Sequence, residues 1–133
     1  MTIHRGPKEI GGSCVEVSAG KTRWILDAVM PLVTAEREPL MPRRSAEKSS
    51  AELIAEKVIP GVPRLFLDGD SPDAIPLTHS HLDHSGLLHL TKAEIPVYAT
   101  TGTSKMMNAA GVFGGHKSLD HALHRDVNAR VPF

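Results

Sequence analysis

Residues 78–86 read Thr78-His79-Ser80-His81-Leu82-Asp83-His84-Ser85-Gly86, three imidazoles and a carboxylate within six positions, straight after the short apolar run Ile75-Pro76-Leu77. The spacing points to metal chemistry. If Ala74 to Thr78 is a buried strand, the chain leaves its end at His79, and extended backbone sends residues two apart to the same side. His79 and His81 can then share one ion. Asp83 and His84 come after the chain has turned into the next element, so they face a different spot and can hold a second ion. Imidazole nitrogens and a carboxylate suit zinc, with manganese or iron as alternatives where carboxylates dominate. The competing reading is a histidine-rich surface loop in a chain with 8 histidines. The position at the C-terminal end of an apolar strand, closed by Ser85-Gly86 and the apolar pair Leu87-Leu88, favours the metal site.

Upstream, Cys14, Val15 and Val17 pair with Trp24, Ile25 and Leu26 as two arms of a β-hairpin, with Ser18-Ala19-Gly20-Lys21 as the turn. Gly11-Gly12 lets the backbone bend or approach another segment closely. The sole cysteine, Cys14, excludes an internal disulfide, fits a reducing compartment and reads as a packed thiol, since no activating base lies near it in sequence. Asp27 ends the second arm. A carboxylate there either caps the following turn or orients a metal-bound histidine from behind, and the sequence leaves both open.

The chain of 133 residues, 41% hydrophobic, suits one compact domain, and 15 basic against 15 acidic residues leave no global field to draw it to nucleic acid or an anionic membrane. The N-terminus lacks a signal-like apolar region, and no apolar run approaches the roughly 20 residues of a membrane span, so a soluble, cytoplasmic chain is expected. Residues 34–50 are rich in charge and proline and read as an exposed loop, the Arg43-Arg44 pair included. Ser49 with Glu52 has capping-box spacing before a short one-sided helix through Leu53, Ile54 and Val58. Leu65-Phe66-Leu67 packs on the core, and Asp68, Asp70 and Asp73 lack the ligand order of a calcium loop. Downstream, Gly86 to Leu90 gives one or two helical turns carrying His89 as a surface or packing residue. Ile95 to Ala99 is a second buried strand, and Thr101 caps a helix that stops at Gly111. Strand, metal loop, helix, strand, helix is an α/β order, a sheet covered by helices.

The pattern His79-x-His81-x-Asp83-His84 resembles the metal-binding signature of the metallo-β-lactamase fold, a superfamily of mostly dinuclear hydrolases. The segments Ile3-His4-Arg5-Gly6, Glu9 to Glu16, Leu26-Asp27-Ala28 and Met30-Pro31-Leu32 are similar to the opening of its ribonuclease J-like members, as are Pro72-Asp73-Ala74-Ile75 and Ile95 to Thr100 around the motif. The likeness covers about residues 3 to 32 and 72 to 110. It departs at Val29, where such proteins carry glycine; a β-branched residue is costly at positive φ, so a distorted turn beside Asp27 is expected.

The resemblance implies an αββα fold of which residues 1–133 form the N-terminal half, a mixed sheet with helices packed on it, and an ill-defined tail over 112–133. It implies His79, His81, Asp83 and His84 as ligands, Asp27 behind them, and two Zn2+ (or Mn2+) per intact site. It also implies hydrolysis of RNA phosphodiesters by a metal-activated hydroxide. Such proteins carry further ligands downstream: a third histidine, a bridging aspartate and a last histidine. Here His116, His121 and His124 are the later histidines, and none is assigned; Lys117 to Arg125 can form a short helix with His121 and His124 on one face. The chain alone is therefore expected to be inactive. The alternatives are a non-catalytic zinc-binding or assembly module, or a hydrolase of thioester, lactone or β-lactam substrates. A half domain leaves sheet edges and an apolar face uncovered, which calls for the missing half or for self-association.

Overall fold

A computed structural model of the chain describes residues 1–5, 11–12, 14–28, 30–33, 39, 48–66, 72–114 and 124–127, with backbone alone at 112–114 and 124. Val29, the Arg43-Arg44 pair, Leu67, Asp68, Asp70, His116 and His121 lie outside the described residues, as does most of the 34–50 loop.

Strands β1 (Thr2–Arg5), β2 (Cys14–Ala19) and β3 (Thr22–Leu26) form an antiparallel sheet in that order. The hairpin has the expected arms, with Val15 opposite Leu26 and Val17 opposite Trp24. Its turn is tighter than expected, because Ser18 and Ala19 stay in the ladder opposite Arg23 and Thr22 and leave only Gly20-Lys21 to reverse the chain. Strands β4 (Ile75–Pro76), β5 (Val97–Thr100) and β6 (His124–Val127) form a second, parallel sheet. The two sheets meet along β3. Asp73 N donates to Arg23 O at 2.8 Å, Ile25 N to Ala74 O at 3.1 Å and Asp27 N to Pro76 O at 3.0 Å, the slanted pattern of parallel neighbours.

Helix α1 (Ser50–Ala55) starts at the anticipated capping box: Ser49 Oγ accepts from Glu52 N, and the Glu52 carboxylate accepts from Ser49 N at 2.8 Å. The Ser49 hydroxyl, which donates to Glu52 Oε2 at 2.7 Å, and the Ser49 N–H together hold the exposed Glu52 carboxyl below its ordinary pKa. At the other end Val58 N reaches Leu53 O and Lys57 N reaches Ile54 O, closing the helix in the manner usually reserved for glycine, with Lys57 at φ +58°. Helix α2 (Leu82–Ser85) and a 3-10 turn (Leu88–Leu90) follow the histidine motif. Helix α3 (Thr101–Gly114) differs from the sequence reading at both ends. Thr100 supplies the capping oxygen, accepting from Thr103 N at 3.1 Å, and the helix passes through Gly111, whose cost of about 1 kcal/mol is too small to stop it.

A further correction concerns the tail. Residues 112–114 are helical, and His124 and Arg125 lie in β6 opposite Val97 and Tyr98 rather than in a helix shared with His121. Ladder bonds to a strand already in place outweigh the weak local preference of a polar segment for helix. Ser104 Oγ donates to Asp126 Oδ1 at 2.7 Å and ties α3 to this strand.

Burial follows one face of the sheet. Cys14, Ile25, Ile75, Val97 and Ala99 point into a core completed by Leu53, Val62, Leu65, Leu87 and Leu88. Burial pushes the Cys14 thiol up to about 12. The opposite face carries Ile3, Val17, Trp24, Tyr98 and Val127, all exposed. The second buried strand expected from the sequence is β5, buried on one side, its residues alternating buried and exposed. No helix among the described residues is long and apolar enough to cross a membrane.

Candidate metal centre

The histidine motif sits where β4 runs out. Leu77 N still donates to Tyr98 O at 2.8 Å, so the chain is held in the sheet up to Leu77 and released at Thr78. His81 then caps α2, its carbonyl accepting from the N–H groups of His84 and Ser85, both at 3.0 Å. This brings Asp83 and His84 round within one turn, back towards His79. The His79 ring lies 4.0 Å from that of His84 and 4.6 Å, nearly edge-on, from that of His81.

One ligand atom each from His79, Asp83 and His84 falls within 4.8 Å of the others. Around a single tetrahedral zinc with bonds of about 2.0 Å, such atoms stand about 3.3 Å apart. His84 Nε2 and Asp83 Oδ2 already stand 3.5 Å apart, and the widest of the three separations has to close by at most about an ångström and a half, within reach of side-chain rotation on half-exposed residues. Two imidazoles and a carboxylate are hard-to-borderline donors, and the set fits zinc or manganese better than a soft thiophilic ion. His81 is exposed and stands beside the three, within ring contact of His79.

Asp27 lies behind the cluster, only 3% exposed. Its Oδ1 accepts from Thr78 N at 2.8 Å, and its Oδ2 takes His84 Nδ1 at 2.8 Å and the Thr78 hydroxyl at 2.9 Å. The turn that the Asp27 side chain secures is the one at Thr78, on the neighbouring strand, rather than the turn following Asp27, and its Oδ2 bonds His84. Asp27 itself has left-handed backbone, at φ +64°; the turn position expected at Val29 lies outside the described residues. Aspartate is among the few residues with a Cβ that tolerate it.

The segment after Asp27 is laced to α2. Ala28 N donates to His84 O at 2.8 Å, Met30 N to Asp83 O at 3.2 Å and Leu87 N to Ala28 O at 3.2 Å. Close passage requires glycine at 86, where a Cβ would stand 3.2 Å from Met30 Cβ and 2.5 Å from Leu82 O. Gly11 serves similarly on the other side of this segment: with φ +91°, its Cβ would lie 2.6 Å from Leu32 N.

His89, exposed, bonds the Gly86 carbonyl through Nδ1 at 3.0 Å and, among the described residues, is not part of the donor set. Thr78 is the residue whose part the sequence did not disclose. Its hydroxyl touches Asp27, His79 and, at 3.4 Å, His84; the available signal was a hydroxyl residue immediately before the first histidine.

No protein-family profile matches the chain. It is 29% identical over 107 residues, 80% of its length, to "RNase J-like protein" of Methanocaldococcus jannaschii. It is also 29% identical over 138 aligned positions, spanning the whole chain, to "Transcription termination factor FttA" of Methanothermobacter thermautotrophicus. The chain spans about a fifth of these curated relatives, 19% and 18% of their lengths. Among solved structures, a protein of unknown function from Enterococcus faecalis V583 superposes on 95% of the chain with a TM-score of 0.70 at 19% identity, the matched part being 32% of that chain. The fold described above therefore recurs as one portion of a longer polypeptide.

Proposed function

We propose that this chain is the metal-holding front portion of a metallo-β-lactamase-type hydrolase domain, and that the intact domain hydrolyses RNA phosphodiesters. The observation that carries the proposal is the convergence of His79, Asp83 and His84 in front of one buried carboxylate, Asp27, at the end of a parallel strand. The two relatives named for RNase J and for transcription termination support a nucleic-acid substrate.

His79, His81, Asp83 and His84 are the ligands in this proposal, for two zinc ions per complete site or for manganese in their place. Bound metal supplies Lewis acidity towards the phosphoryl oxygens and a nucleophile at neutral pH. The chain's own residues do the rest. The buried Asp27 accepts the Nδ1 proton of His84 and keeps Nε2 facing the site, and the cap at His81 fixes the turn that returns Asp83 to it. With four ligands in hand, the chain alone holds metal without turnover.

The uncovered sheet face belongs to the same proposal. Trp24, Tyr98, Val17 and Val127 make an apolar surface, with Arg125 beside Tyr98, of the kind that packs against another sheet about 10 Å away. In the αββα arrangement that sheet comes from the rest of the domain; in the isolated chain the face drives self-association.

Zinc titration of the purified chain followed by mass spectrometry tests the metal reading, with loss of binding expected in His84→Ala and no RNA cleavage by the parent. Metal-free chain after equilibration with excess zinc overturns it. RNA cleavage that disappears in His81→Ala, or hydrolysis of a thioester or lactone instead, would revise the division of labour between this portion and the rest of the domain.

A further inference from the structure

We propose that Thr78 is the positioning residue that decides which nitrogen of His79 faces the metal site. This rests on the metal reading above, yet it concerns the rings before any ion arrives. A neutral imidazole binds metal only through the nitrogen that lacks a proton, so a site built from histidines works when each ring is held in one tautomer.

The donor and acceptor inventory fixes the arrangement. A carboxylate such as that of Asp27 offers only acceptors to an N–H or O–H donor. His84 Nδ1, at 2.8 Å from Asp27 Oδ2, must therefore carry the proton, and in the neutral ring Nε2, 3.5 Å from Asp83 Oδ2, keeps the lone pair. The Thr78 hydroxyl has one proton, and it lies 2.9 Å from Asp27 Oδ2 and 3.1 Å from Oδ1. Turned the other way, the hydroxyl would set its lone pairs against the carboxylate, so the proton goes to Asp27. The same oxygen is 3.0 Å from His79 Nδ1, and with its proton already donated it can only accept there. His79 Nδ1 must then be the protonated nitrogen, and Nε2 the free one.

A single buried carboxylate thereby sets two rings, His84 directly and His79 through an intervening hydroxyl. The Thr78 backbone N–H bond to Asp27 Oδ1 at 2.8 Å does not involve the hydroxyl. Removing the hydroxyl alone leaves that anchor in place, and valine matches threonine in shape.

The test uses the full chain, metal-free and 15N-labelled, at about pH 8.5, two units above the ordinary imidazole value. Long-range 1H–15N spectra report the tautomer of each histidine. In the parent and in Thr78→Ser, His79 and His84 are both expected as the Nδ1–H form. In Thr78→Val, His79 is expected to become a mixture while His84 is unchanged. Zinc affinity, read by competition with a chromophoric chelator, is expected to fall about 10- to 100-fold in Thr78→Val and to recover in Thr78→Ser. A parent spectrum with His79 as Nε2–H, or a Thr78→Val spectrum with His79 unmoved, overturns the proposal, and the parent measurement needs no variant to fold. Nδ1–H on both rings in a chain that takes up no zinc upholds the role of Thr78 and overturns the metal reading instead.

Discussion

Replacing Asp27 measures how much of the site depends on one side chain. The carboxylate receives three hydrogen bonds, from Thr78 N, the Thr78 hydroxyl and His84 Nδ1, at 3% exposure. A bond to a charged acceptor contributes about 1.5–3 kcal/mol when buried, but Thr78 and His84 reach water and can be rehydrated, so about 1 kcal/mol for each is the better figure. Alanine also lacks the tolerance of aspartate for φ +64°, which adds about 1 kcal/mol. Asp27→Ala should therefore lose about 4 kcal/mol in urea unfolding. Asn tolerates the same backbone and still accepts from Thr78, so Asp27→Asn should lose only about 1–2 kcal/mol. Zinc affinity should fall about 10- to 100-fold in both, because each releases His84 Nδ1 from its acceptor. Unfolding followed by circular dichroism at low chain concentration gives the first quantity and chelator competition the second. If Asp27→Ala stays within about 0.5 kcal/mol of the parent, or if Asn preserves full zinc affinity, the role given to this carboxylate is wrong.

Two further outcomes follow from the opposite end of the sheet and from α1. Hydrogen bonding from Arg23 and His4 to Glu16 lowers its carboxyl from 4.5 to about 2. A depressed folded-state pKa stabilises the fold above 4.5, and that contribution disappears as the pH drops through 2. The side chain is 16% exposed, so screening cuts the ceiling of about 3 kcal/mol to about 2. Acid unfolding of Glu16→Gln should be correspondingly flatter between these pH values, and an unchanged slope would remove Glu16 from the acid response. Lys57 occupies a left-handed position at the end of α1, so Lys57→Gly should raise stability by about 1 kcal/mol; a loss in thermal unfolding would mean that the lysine stem packs usefully there.

Much of this was legible in the residues. The hairpin arms, the capping box at Ser49 and Glu52 and the packed thiol all follow from local rules, and local rules act within a few residues; the chain leaves the sheet at Thr78, one residue before the His79 expected from the sequence. The mixed α/β class followed from the order of elements. Other features depend on contacts made far along the chain. The strand at His124 could not be read because its partner, β5, lies 27 positions away in register and nothing in His124-Arg125-Asp126-Val127 favours strand strongly. The same holds for Tyr98: its exposure depends on which face the helices choose, and periodicity over four residues does not say. At the candidate site the spacing singles out His79, His81, Asp83 and His84 as candidates, whereas the grouping of His79 with Asp83 and His84 depends on the turn that α2 makes after His81. The part played by Thr78 needed the position of a carboxylate from another strand.

The bond between Asp27 and His84 spans 57 positions of sequence. Closing a loop of that length costs about 3.6 kcal/mol of chain entropy beyond a constant, on the Jacobson–Stockmayer scaling. A nonapeptide carrying residues 78–86 would have every proposed metal donor and none of this closure, and its rings would sample both tautomers. The fixed arrangement of the proposed donors is therefore expected late in folding. It comes into being only when β3 and β4 have docked side by side, so ion capture should lag behind collapse in a refolding experiment and should slow with any change that delays that docking.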